Sequence, residues 1–273
     1  MTGVFYFSTL FVIGMIFGGI YIRLILCLIY LYQIFLCAPS QKFRNFLMFL
    51  RPNDYFEKNG TIFEEEPPFE GNRNILALFP LNFCRSKHFE NFHFLATRGL
   101  FLIPLGGIIS KWIGIEPVDP HHFESLMEKG ENIAFLPGGF EEATITNHNQ
   151  DQVWIQSRKG FIKYALKYGY NLYPCYAFNE NRMFCCFTWF ENLRLVFNRW
   201  KFPGVLFIGK YALLPRKDLK MYTVVGKKIV LPKLDKITKE DVEKYHKIYV
   251  EKLEEMYNRY KERFESSEKL IIK

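Results

Sequence analysis

The N-terminal part of the chain is apolar without the alternation expected of a soluble helix or strand. Residues 4–38 are almost entirely aliphatic, aromatic or glycine, and Arg23 is their only formal charge. A single membrane-spanning helix needs about 20 residues, so this run is too long for one ordinary span and too short for two. We therefore predict a helical hairpin over residues 1–40 that enters a bilayer and returns to the same side. Three glycines supply a bend or a close helix contact: Gly14, Gly18 and Gly19.

Beyond this run, the spacing of apolar positions predicts alternating strands and helices. Short apolar runs that end near Pro or Gly predict buried strands at 74–80, 132–136, 171–178 and 221–225. A helix is predicted over 157–168, which we expect Ser157 to cap. The order of strand, loop, helix and strand favours an α/β fold.

The C-terminal region contains the strongest helix signal. Thr238 and Asp241 have the spacing of a capping box, which marks the start of a long helix. Apolar residues recur at helical spacing along one side of it, and we expect them to pack in the core: Val242, Tyr245, Tyr249, Leu253, Met256, Tyr260 and Phe264. The composition predicts a linker over residues 41–72 and one domain over residues 73–273.

A second apolar stretch lies between residues 94 and 115. It is interrupted by Arg98, Pro104 and Lys111, which argues against a full membrane span. Ordinary core is the favoured interpretation. A partly buried helix near a bilayer, or one wall of an acyl-chain pocket, is the alternative.

The positive charge of the chain is concentrated in one region. The formal net charge is +8, and residues 192–236 hold eleven basic and two acidic residues with aromatic residues between them. Such a region fits anionic headgroups or acyl-carrier phosphates, and an ordinary solvated basic face is the alternative. Nucleic acid is disfavoured, because no zinc-finger, RNP or helix-turn-helix pattern accompanies the charge.

The cysteines and histidines give little support to a metal or disulfide framework. The six cysteines form no CxxC pair, and two of them lie in the apolar N-terminal run. This usage is typical of a domain that faces a reducing compartment. Neither residue type has the spacing of metal ligands, so we predict no metal and no cofactor.

Two segments have the residue types of a chemical site. The sequence FLPGGFEEA at 135–143 is a predicted strand that enters a diglycine loop and then two carboxylates, and such loops at strand ends often hold functional groups. Glu142 is the candidate catalytic carboxylate. It can orient an imidazole, accept a proton if burial raises its pKa, or hydrogen-bond the amides of the turn. The sequence SRKGFIK at 157–163 places two cations beside a glycine at a helix start, where a phosphate can bind.

These segments together resemble the type 2 diacylglycerol acyltransferase family, which includes monoacylglycerol and wax-ester acyltransferases. GGFEE at 138–142 is similar to the GGxxE block of the family, and RKGF at 158–161 is similar to its RxGF block. LYPCYAFNE at 172–180 is similar to its VPxYxFGE segment, with Asn179 where glycine is usual. TVVG at 223–226 and the helix around His246 also match, and the resemblance covers most of the chain.

The resemblance implies a glycerolipid-acyltransferase-like mixed sheet flanked by helices. It also implies transfer of a fatty acyl group from acyl-coenzyme A to diacylglycerol or a related lipid alcohol. The expected location is the endoplasmic reticulum membrane or the lipid-droplet surface, with the main domain facing the cytosol, and the oligomeric state is open. The substrate-binding residues that it implies are Gly138, Gly139, Arg158, Lys159, Gly160, Phe161 and Glu180.

The chain departs from the family where a catalytic histidine is expected. The family has the sequence HPHG there, and this chain has Phe79, Pro80, Leu81 and Asn82. His88, a few residues further along, is the substitute candidate for a general base. Two alternatives to the acyltransferase therefore stay open. One is a catalytically impaired lipid-binding homologue that acts as a partner or regulator, and the other is a phospholipid-type acyltransferase that uses the basic region to bind the acceptor phosphate.

Overall fold

The computed structural model describes most of the chain. The described residues are 2–49, 60–65, 69, 71–78, 87–199, 204, 207–209, 216, 220–266 and 269–273. The helices are α1 (Thr2–Phe17), α2 (Ile20–Phe35), α3 (Gln41–Phe49), α4 (Arg98–Leu102), α5 (Gly106–Trp112), α6 (Pro120–Lys129), α7 (Gly139–Ile145), α8 (Gly160–Tyr168), α9 (Glu191–Arg199) and α10 (Lys239–Tyr260).

The strands are short and are spread over the whole domain. They are β1 (Gly60–Phe63), β2 (Asn74–Leu76), β3 (Phe92–Thr97), β4 (Ile115–Val118), β5 (Asn132–Phe135), β6 (Gln152–Val153), β7 (Asn171–Tyr173), β8 (Cys175–Phe178), β9 (Cys185–Cys186), β10 (Phe207–Ile208), β11 (Tyr222–Val225), β12 (Ile229–Val230) and β13 (Ile271–Ile272).

One six-stranded sheet forms the centre of the domain. Its order is β12-β7-β2-β5-β3-β4, and all neighbours run parallel except β12, which is antiparallel to β7. Side chains of β5 alternate between two buried clusters, with Ile133 and Phe135 in one and Ala134 in the other. The first cluster includes residues of α6, α8 and α10. The predicted α/β class, with a mixed sheet flanked by helices, is confirmed.

A three-stranded sheet, in the order β1-β11-β8, shares the second buried cluster. The strand predicted over residues 171–178 is in fact two strands, because Pro174 separates β7 in the large sheet from β8 in the small one. Proline has no N–H group to donate to a ladder, so it marks the point where the chain changes sheets. β1 pairs in parallel with β11, so residues 60–63 of the predicted linker belong to this sheet.

The long C-terminal helix forms as the sequence predicts. Thr238 and Asp241 exchange side-chain and backbone hydrogen bonds in a capping box at the start of α10. All the apolar residues predicted for its packed side lie in the first buried cluster or against it. The expectation that Ser157 caps α8 was wrong. That helix starts three residues later, after Lys159, and Ser157 is exposed in the preceding turn.

The apolar N-terminal run forms two helices with a break at Gly18 and Gly19. The ring of Phe11 lies 5.9 Å from that of Tyr30, and Gly14 lies against Leu26, so α1 and α2 pack antiparallel. Much of their outer surface is exposed aliphatic and aromatic side chain. Within the described part of the chain, no helix combines the length and the apolar character needed to cross a membrane. Insertion of the hairpin into a bilayer therefore stays a prediction.

Polar side chains join the two N-terminal helices to the segment that follows β3. The buried Gln33 amide donates to the carbonyls of Phe101 and Ile103 at 2.8 and 3.0 Å, and the Tyr30 hydroxyl donates to the carbonyl between them at 3.0 Å. In return, the Lys111 ammonium donates to the Gln33 carbonyl at 2.6 Å. These bonds satisfy carbonyls at helix ends. The hairpin is thus attached to α4 and α5, which occupy much of the second apolar stretch.

Candidate functional site

The candidate site lies at one edge of the six-stranded sheet. β2, β3, β5 and β7 run parallel, so their carboxyl ends reach the same edge, where ligands of open α/β sheets usually bind. β5 leaves this edge into Gly138 and Gly139, and β3 leaves it into α4, to which the hairpin is attached. β2 also ends here, and residues 79–86, which include the Phe79-Pro80-Leu81-Asn82 segment, lie outside the described residues.

The turn at Gly138 and Gly139 leaves no room for a side chain at its first position. A Cβ atom on Gly138 would lie 2.2 Å from the Oε2 atom of Glu142 and 2.5 Å from its Cβ atom. Gly139 has a φ angle of +61°, a conformation that glycine adopts at little cost. The diglycine therefore permits both the tight turn and the close approach of the Glu142 side chain to the backbone.

The Glu142 carboxylate connects this turn to a distant segment of the chain. Its Oε2 atom accepts a hydrogen bond of 3.0 Å from the backbone amide of Trp154. Burial raises the pKa of Glu142 to about 7, the Trp154 amide lowers it, the nearby Glu180 charge raises it, and the Arg158 charge lowers it. A carboxyl group with a pKa near neutrality can both accept and release a proton at physiological pH.

The two cations expected to bind phosphate both form ion pairs with carboxylates. Arg158 Nη2 lies 2.5 Å from Glu141 Oε2, and Lys159 Nζ lies 2.5 Å from Glu243 Oε1. The buried Nε atom of Arg158 has no hydrogen-bond partner within the described part of the chain. The first pair places Arg158 directly beside the carboxylates that follow the diglycine.

The remaining residues of the RKGF block have different roles. Gly160 is exposed, and a Cβ atom there would meet nothing within 4 Å, so there is open space above the start of α8. Phe161 is buried, with its ring edge-on to those of Phe135 and Tyr249. We therefore assign Phe161 to core packing, and we keep Gly160 as a candidate for contact with a ligand.

Glu180 follows a residue in a strained backbone conformation. Asn179 has a φ angle of +68°, which explains why glycine is usual at this position in the related segment, since asparagine is among the few other residues that tolerate it. The Asn179 amide donates to the carbonyls of Lys220 and Phe264 at 3.1 Å each. Glu180 itself is exposed, and its charge acts on Glu142.

The candidate base His88 packs against the three-stranded sheet. It occupies a short 3-10 helix, Lys87–Phe89, where its exposed ring packs against Phe63 of β1 at a centroid distance of 5.1 Å. His88 is not among the residues whose charge or hydrogen bonds shift the pKa of Glu142. His246 is buried in α10, and its Nε2 atom lies 2.9 Å from the Ile155 carbonyl.

Two other histidines share one carboxylate elsewhere on the sheet. Glu116 on β4 lies 2.8 Å from His93 Nδ1 and 2.6 Å from His122 Nε2. His93 is level with Ile133 in β5, five residues before Gly138, which corresponds to roughly 15 Å along a strand. No spacing pattern in the sequence indicated this cluster. No group of His, Cys, Asp or Glu among the described residues could hold a metal ion.

Two features of the region had no sequence signal. The bond to Glu142 comes from a backbone amide at Trp154, which side-chain patterns cannot show. Asp151 is buried and accepts hydrogen bonds of 2.8 Å from the hydroxyls of Tyr176 and Tyr257, which fastens the segment before Trp154 to β8 and α10. Both contacts join residues far apart in the chain.

The sequence is similar to one protein family and to curated proteins that carry a similar description. The sequence model of a family described as "Diacylglycerol acyltransferase" matches residues 82–273. Diacylglycerol O-acyltransferase 2 of Dictyostelium discoideum is 31% identical over 186 residues, which cover 62% of this chain and 55% of that protein. The Homo sapiens protein of the same name is 30% identical over 200 residues, which cover 66% of this chain and 50% of that protein. The chain spans about half the length of the curated relatives it matches.

A solved structure has a similar arrangement over nearly the whole chain. The 1-acyl-sn-glycerophosphate acyltransferase PlsC from Thermotoga maritima superposes with a TM-score of 0.43 and 16% sequence identity. The superposition covers 93% of this chain and 94% of that chain.

Proposed function

The chain belongs to the diacylglycerol acyltransferase family, and from this membership we propose that it transfers a fatty acyl group from acyl-coenzyme A to diacylglycerol or a related lipid alcohol. The observation that carries the proposal is the Glu142 carboxyl at the Gly138 turn, whose pKa burial raises to about 7. A group that titrates there suits proton transfer at the sheet edge where substrates of such folds bind.

In the proposed reaction the acceptor hydroxyl attacks the thioester carbonyl directly. The hydroxyl oxygen forms the new ester bond, its proton passes to the Glu142 carboxylate, and the carbon–sulfur bond breaks to release coenzyme A as its thiolate. Glu142 then gives this proton to the thiolate, which yields free coenzyme A and restores the carboxylate. A positioned base contributes about 10² to 10⁴ in rate, and Glu142 supplies it here in place of the histidine that the related proteins are expected to use.

We propose that the donor phosphates bind near Arg158 and Lys159. Both cations lie on the segment that leads into α8, beside the carboxylates after the diglycine. Incoming phosphate would compete with Glu141 and Glu243 for these cations, since a guanidinium fork binds phosphate in the same bidentate geometry as carboxylate. The unpartnered Nε atom of Arg158 and the open space at Gly160 support a ligand at this point.

The acceptor would enter from the membrane. The exposed apolar surfaces of α1 and α2 support insertion into a bilayer, and their attachment to α4 brings that bilayer to the same sheet edge as the Gly138 turn. We place the protein, on family membership, at the endoplasmic reticulum membrane or the lipid-droplet surface, with the main domain in the cytosol.

The test is ester formation by the purified full chain in lipid. The protein would be supplied with radiolabelled acyl-coenzyme A and, in separate reactions, with monoacylglycerol, diacylglycerol and a glycerophosphate acceptor. We expect ester with the neutral acceptors, and loss of at least 100-fold in Glu142→Gln, which keeps an acceptor for the Trp154 amide. Ester with the glycerophosphate alone would favour the phospholipid-type alternative.

Two further variants separate catalysis from mere lipid binding. Arg158→Ala should raise KM for acyl-coenzyme A more than it lowers kcat, and Lys163→Ala, an exposed cation on α8, is the matched control. Phe79→His with Leu81→His restores the histidines of the family. If wild type makes no ester with any acceptor and the double variant does, the chain is a lipid-binding homologue that has lost catalysis.

A further inference from the structure

In α9 the buried side is polar and the exposed side is apolar, the reverse of a helix on the surface of a soluble protein. Such helices bury their apolar side and expose their polar one. In α9, Arg194 and Asn198 are 6% and 7% exposed, whereas Leu193 is 56% exposed and Val196 is also exposed. Trp189 and Phe190 directly before the helix are 75% and 77% exposed. These four apolar side chains, Trp189, Phe190, Leu193 and Val196, are called the α9 patch below.

The buried polar side of α9 fixes the helix firmly to the candidate site. The Arg194 guanidinium donates to the carbonyls of Thr144, Gly204 and Trp189 at 2.8, 3.2 and 3.0 Å. Asn198 exchanges hydrogen bonds with the Thr144 hydroxyl. Since Thr144 lies on α7, two residues after Glu142, the α9 patch is held in a fixed position relative to the Gly138 turn.

The segment that displays the aromatic rings is also strained. Phe190 has a φ angle of +55°, an uncommon conformation for a bulky residue. Such conformations persist only where surrounding contacts impose them, and they concentrate at functional positions. Here the Phe190 carbonyl accepts the hydrogen bond from the Arg194 amide that begins the helix. The strained turn therefore holds two aromatic rings at the surface.

The charge around the α9 patch indicates which partner covers it. Among the described residues, no carboxylate pairs with the buried Arg194, whose hydrogen-bond acceptors are neutral carbonyls and whose Nη2 atom has no partner. In the sequence, Leu193 and Val196 belong to the stretch 192–236, which carries a net +9, and Trp189 and Phe190 directly precede it. An exposed tryptophan next to a basic stretch is typical of a surface that meets anionic headgroups and the hydrocarbon just beneath them.

We propose that the α9 patch docks on an anionic phospholipid bilayer as a second membrane contact, separate from the N-terminal hairpin. This inference rests on the membrane association proposed above. It adds a membrane contact that follows the Gly138 turn in the sequence, whereas the hairpin precedes it. Trp189 and Phe190 enter the interface, and Leu193 and Val196 lie in the boundary between headgroups and acyl chains. The two contacts together hold the turn close to the lipid surface.

The test measures whether Trp189 reaches the lipid. The full chain would be reconstituted in phosphatidylcholine vesicles with about 30% phosphatidylserine, a fraction that gives the surface potential of an anionic leaflet. Brominated phosphatidylcholine then quenches tryptophans in contact with acyl chains. Subtracting the signal of Trp189→Phe from that of wild type isolates Trp189. We expect at least twofold quenching of this difference signal, and less when phosphatidylserine is omitted.

Substitutions in the patch provide a second, independent readout. Leu193→Ser with Val196→Ser should reduce the quenching of Trp189 at least twofold. Val230→Ser removes an equally apolar side chain, 68% exposed on β12 and outside the patch, and should leave the quenching unchanged. Co-flotation of all variants with the vesicles reports on the hairpin and is expected to be the same as for wild type.

Three results would overturn the inference. Vesicle-bound protein with an unquenched Trp189 would leave the hairpin as the membrane contact and refute docking by α9. A dimer in detergent that Leu193→Ser with Val196→Ser dissociates, with Trp189 unquenched in vesicles, would identify a second copy of the chain as the occupant. Failure of the wild type to bind vesicles at all would refute both this docking and the proposed membrane association, whereas loss of ester formation alone would affect only the proposed reaction.

Discussion

Glu142 and Glu116 are two partly buried carboxylates whose proton affinities move in opposite directions. Burial is the largest influence on both and raises the pKa of each. At Glu142 the Trp154 amide and the Arg158 charge oppose burial only in part, and the pKa rises to about 7. At Glu116 the hydrogen bonds and positive charges of His93 and His122 outweigh burial, and the pKa falls below its ordinary value. The partner, rather than the burial, decides the outcome.

The two carboxyl groups therefore differ in their capacity to exchange a proton near neutral pH. Glu116 is held in its charged form by two imidazoles and has no proton to exchange near neutral pH. Glu142 stands at the sheet edge, where the Trp154 amide and the Arg158 charge offset burial only in part, and its pKa lies in the range of an acid–base catalyst. The two histidines that share Glu116 lie away from the Gly138 turn, and the role of base that we propose for Glu142 depends on this difference.

The sharpest contrast is expected in activity. Glu142→Gln should lower the rate of ester formation by at least 100-fold, because an amide cannot accept the hydroxyl proton. Glu116→Gln should change it less than twofold, since that cluster is remote from the turn. The measurement is kcat for acyl transfer in lipid at pH 7.5. If Glu142→Gln kept the wild-type rate, the carboxylate would serve only to hold the Trp154 amide.

A second contrast concerns the glycines that build the site. Gly138→Ala would place a methyl group against the Glu142 side chain, so the turn must shift, at a cost of about 1–3 kcal/mol in the free energy of unfolding. Gly160→Ala meets open space and should be neutral or slightly stabilising, as alanine is the better helix former. Denaturant unfolding in detergent measures both. Equal destabilisation by the two variants would refute the tight packing of the turn.

The third contrast is in the pH dependence of stability. The folded pKa of Glu142, about 7, lies above its ordinary 4.5. The contribution of this group to the free energy of unfolding is therefore fully present below pH 4.5 and is lost as pH rises through 7. In Glu142→Gln this decrease in stability with rising pH is absent. Relative to wild type the variant should gain about 1–2 kcal/mol between pH 5 and pH 8, with the full linkage value reduced because the side chain is partly exposed.

The Glu116 contribution should have the opposite sign. Its lowered pKa stabilises the folded state above pH 4.5, and this contribution is lost as pH falls through the folded pKa. Glu116→Gln should therefore lose stability relative to wild type as pH rises from 3 to 5. Thermal unfolding from pH 3 to pH 8 measures both variants. If the stability of both variants relative to wild type changed in the same direction with pH, each in its own range, the assignment of opposite shifts would be contradicted.

The sequence was sufficient for features that depend on neighbours in the chain. The strand before Gly138, the diglycine and Glu142 lie within eleven consecutive residues, 132–142, and the capping box of α10 spans four. The division of the strand at Pro174 was also visible in principle, because a proline interrupts the predicted ladder. Local rules of backbone geometry were enough for these elements.

The remaining features of the site depend on contacts across long distances in the sequence. The bond from the Trp154 amide to Glu142 involves a backbone group with no residue signature. The reversal of α9 follows from the attachment of Arg194 to Thr144, fifty residues earlier, and not from the pattern of the helix itself. Such contacts set the pKa of the carboxyl and the exposed face of the helix, so residue types alone could not predict them.

The smallest expected effect concerns the pair formed by Glu116 and His93. The hydrogen bond to Glu116 raises the pKa of His93 above its ordinary 6.5, so the His93 contribution to stability is fully present below pH 6.5 and is lost as pH rises through the folded pKa. Combined with the Glu116 contribution, the pair should stabilise the fold most between pH 4.5 and 6.5. In that range Glu116→Gln should cost about 0.5–1 kcal/mol, since both side chains are about one third exposed.

The NMR titration of His93 gives the corresponding readout at a single group. In Glu116→Gln the His93 pKa should fall toward its ordinary value, because the largest cause of its rise is removed. Glu131→Gln is the matched control, since Glu131 Oε2 lies 3.9 Å from His93 Nε2 and acts only through its charge. That variant should lower the His93 pKa less. If the His93 pKa fell more in Glu131→Gln than in Glu116→Gln, charge rather than the hydrogen bond would govern the pKa of His93. The contrast between Glu116 and Glu142 would then be a contrast in nearby charge and not in hydrogen bonding.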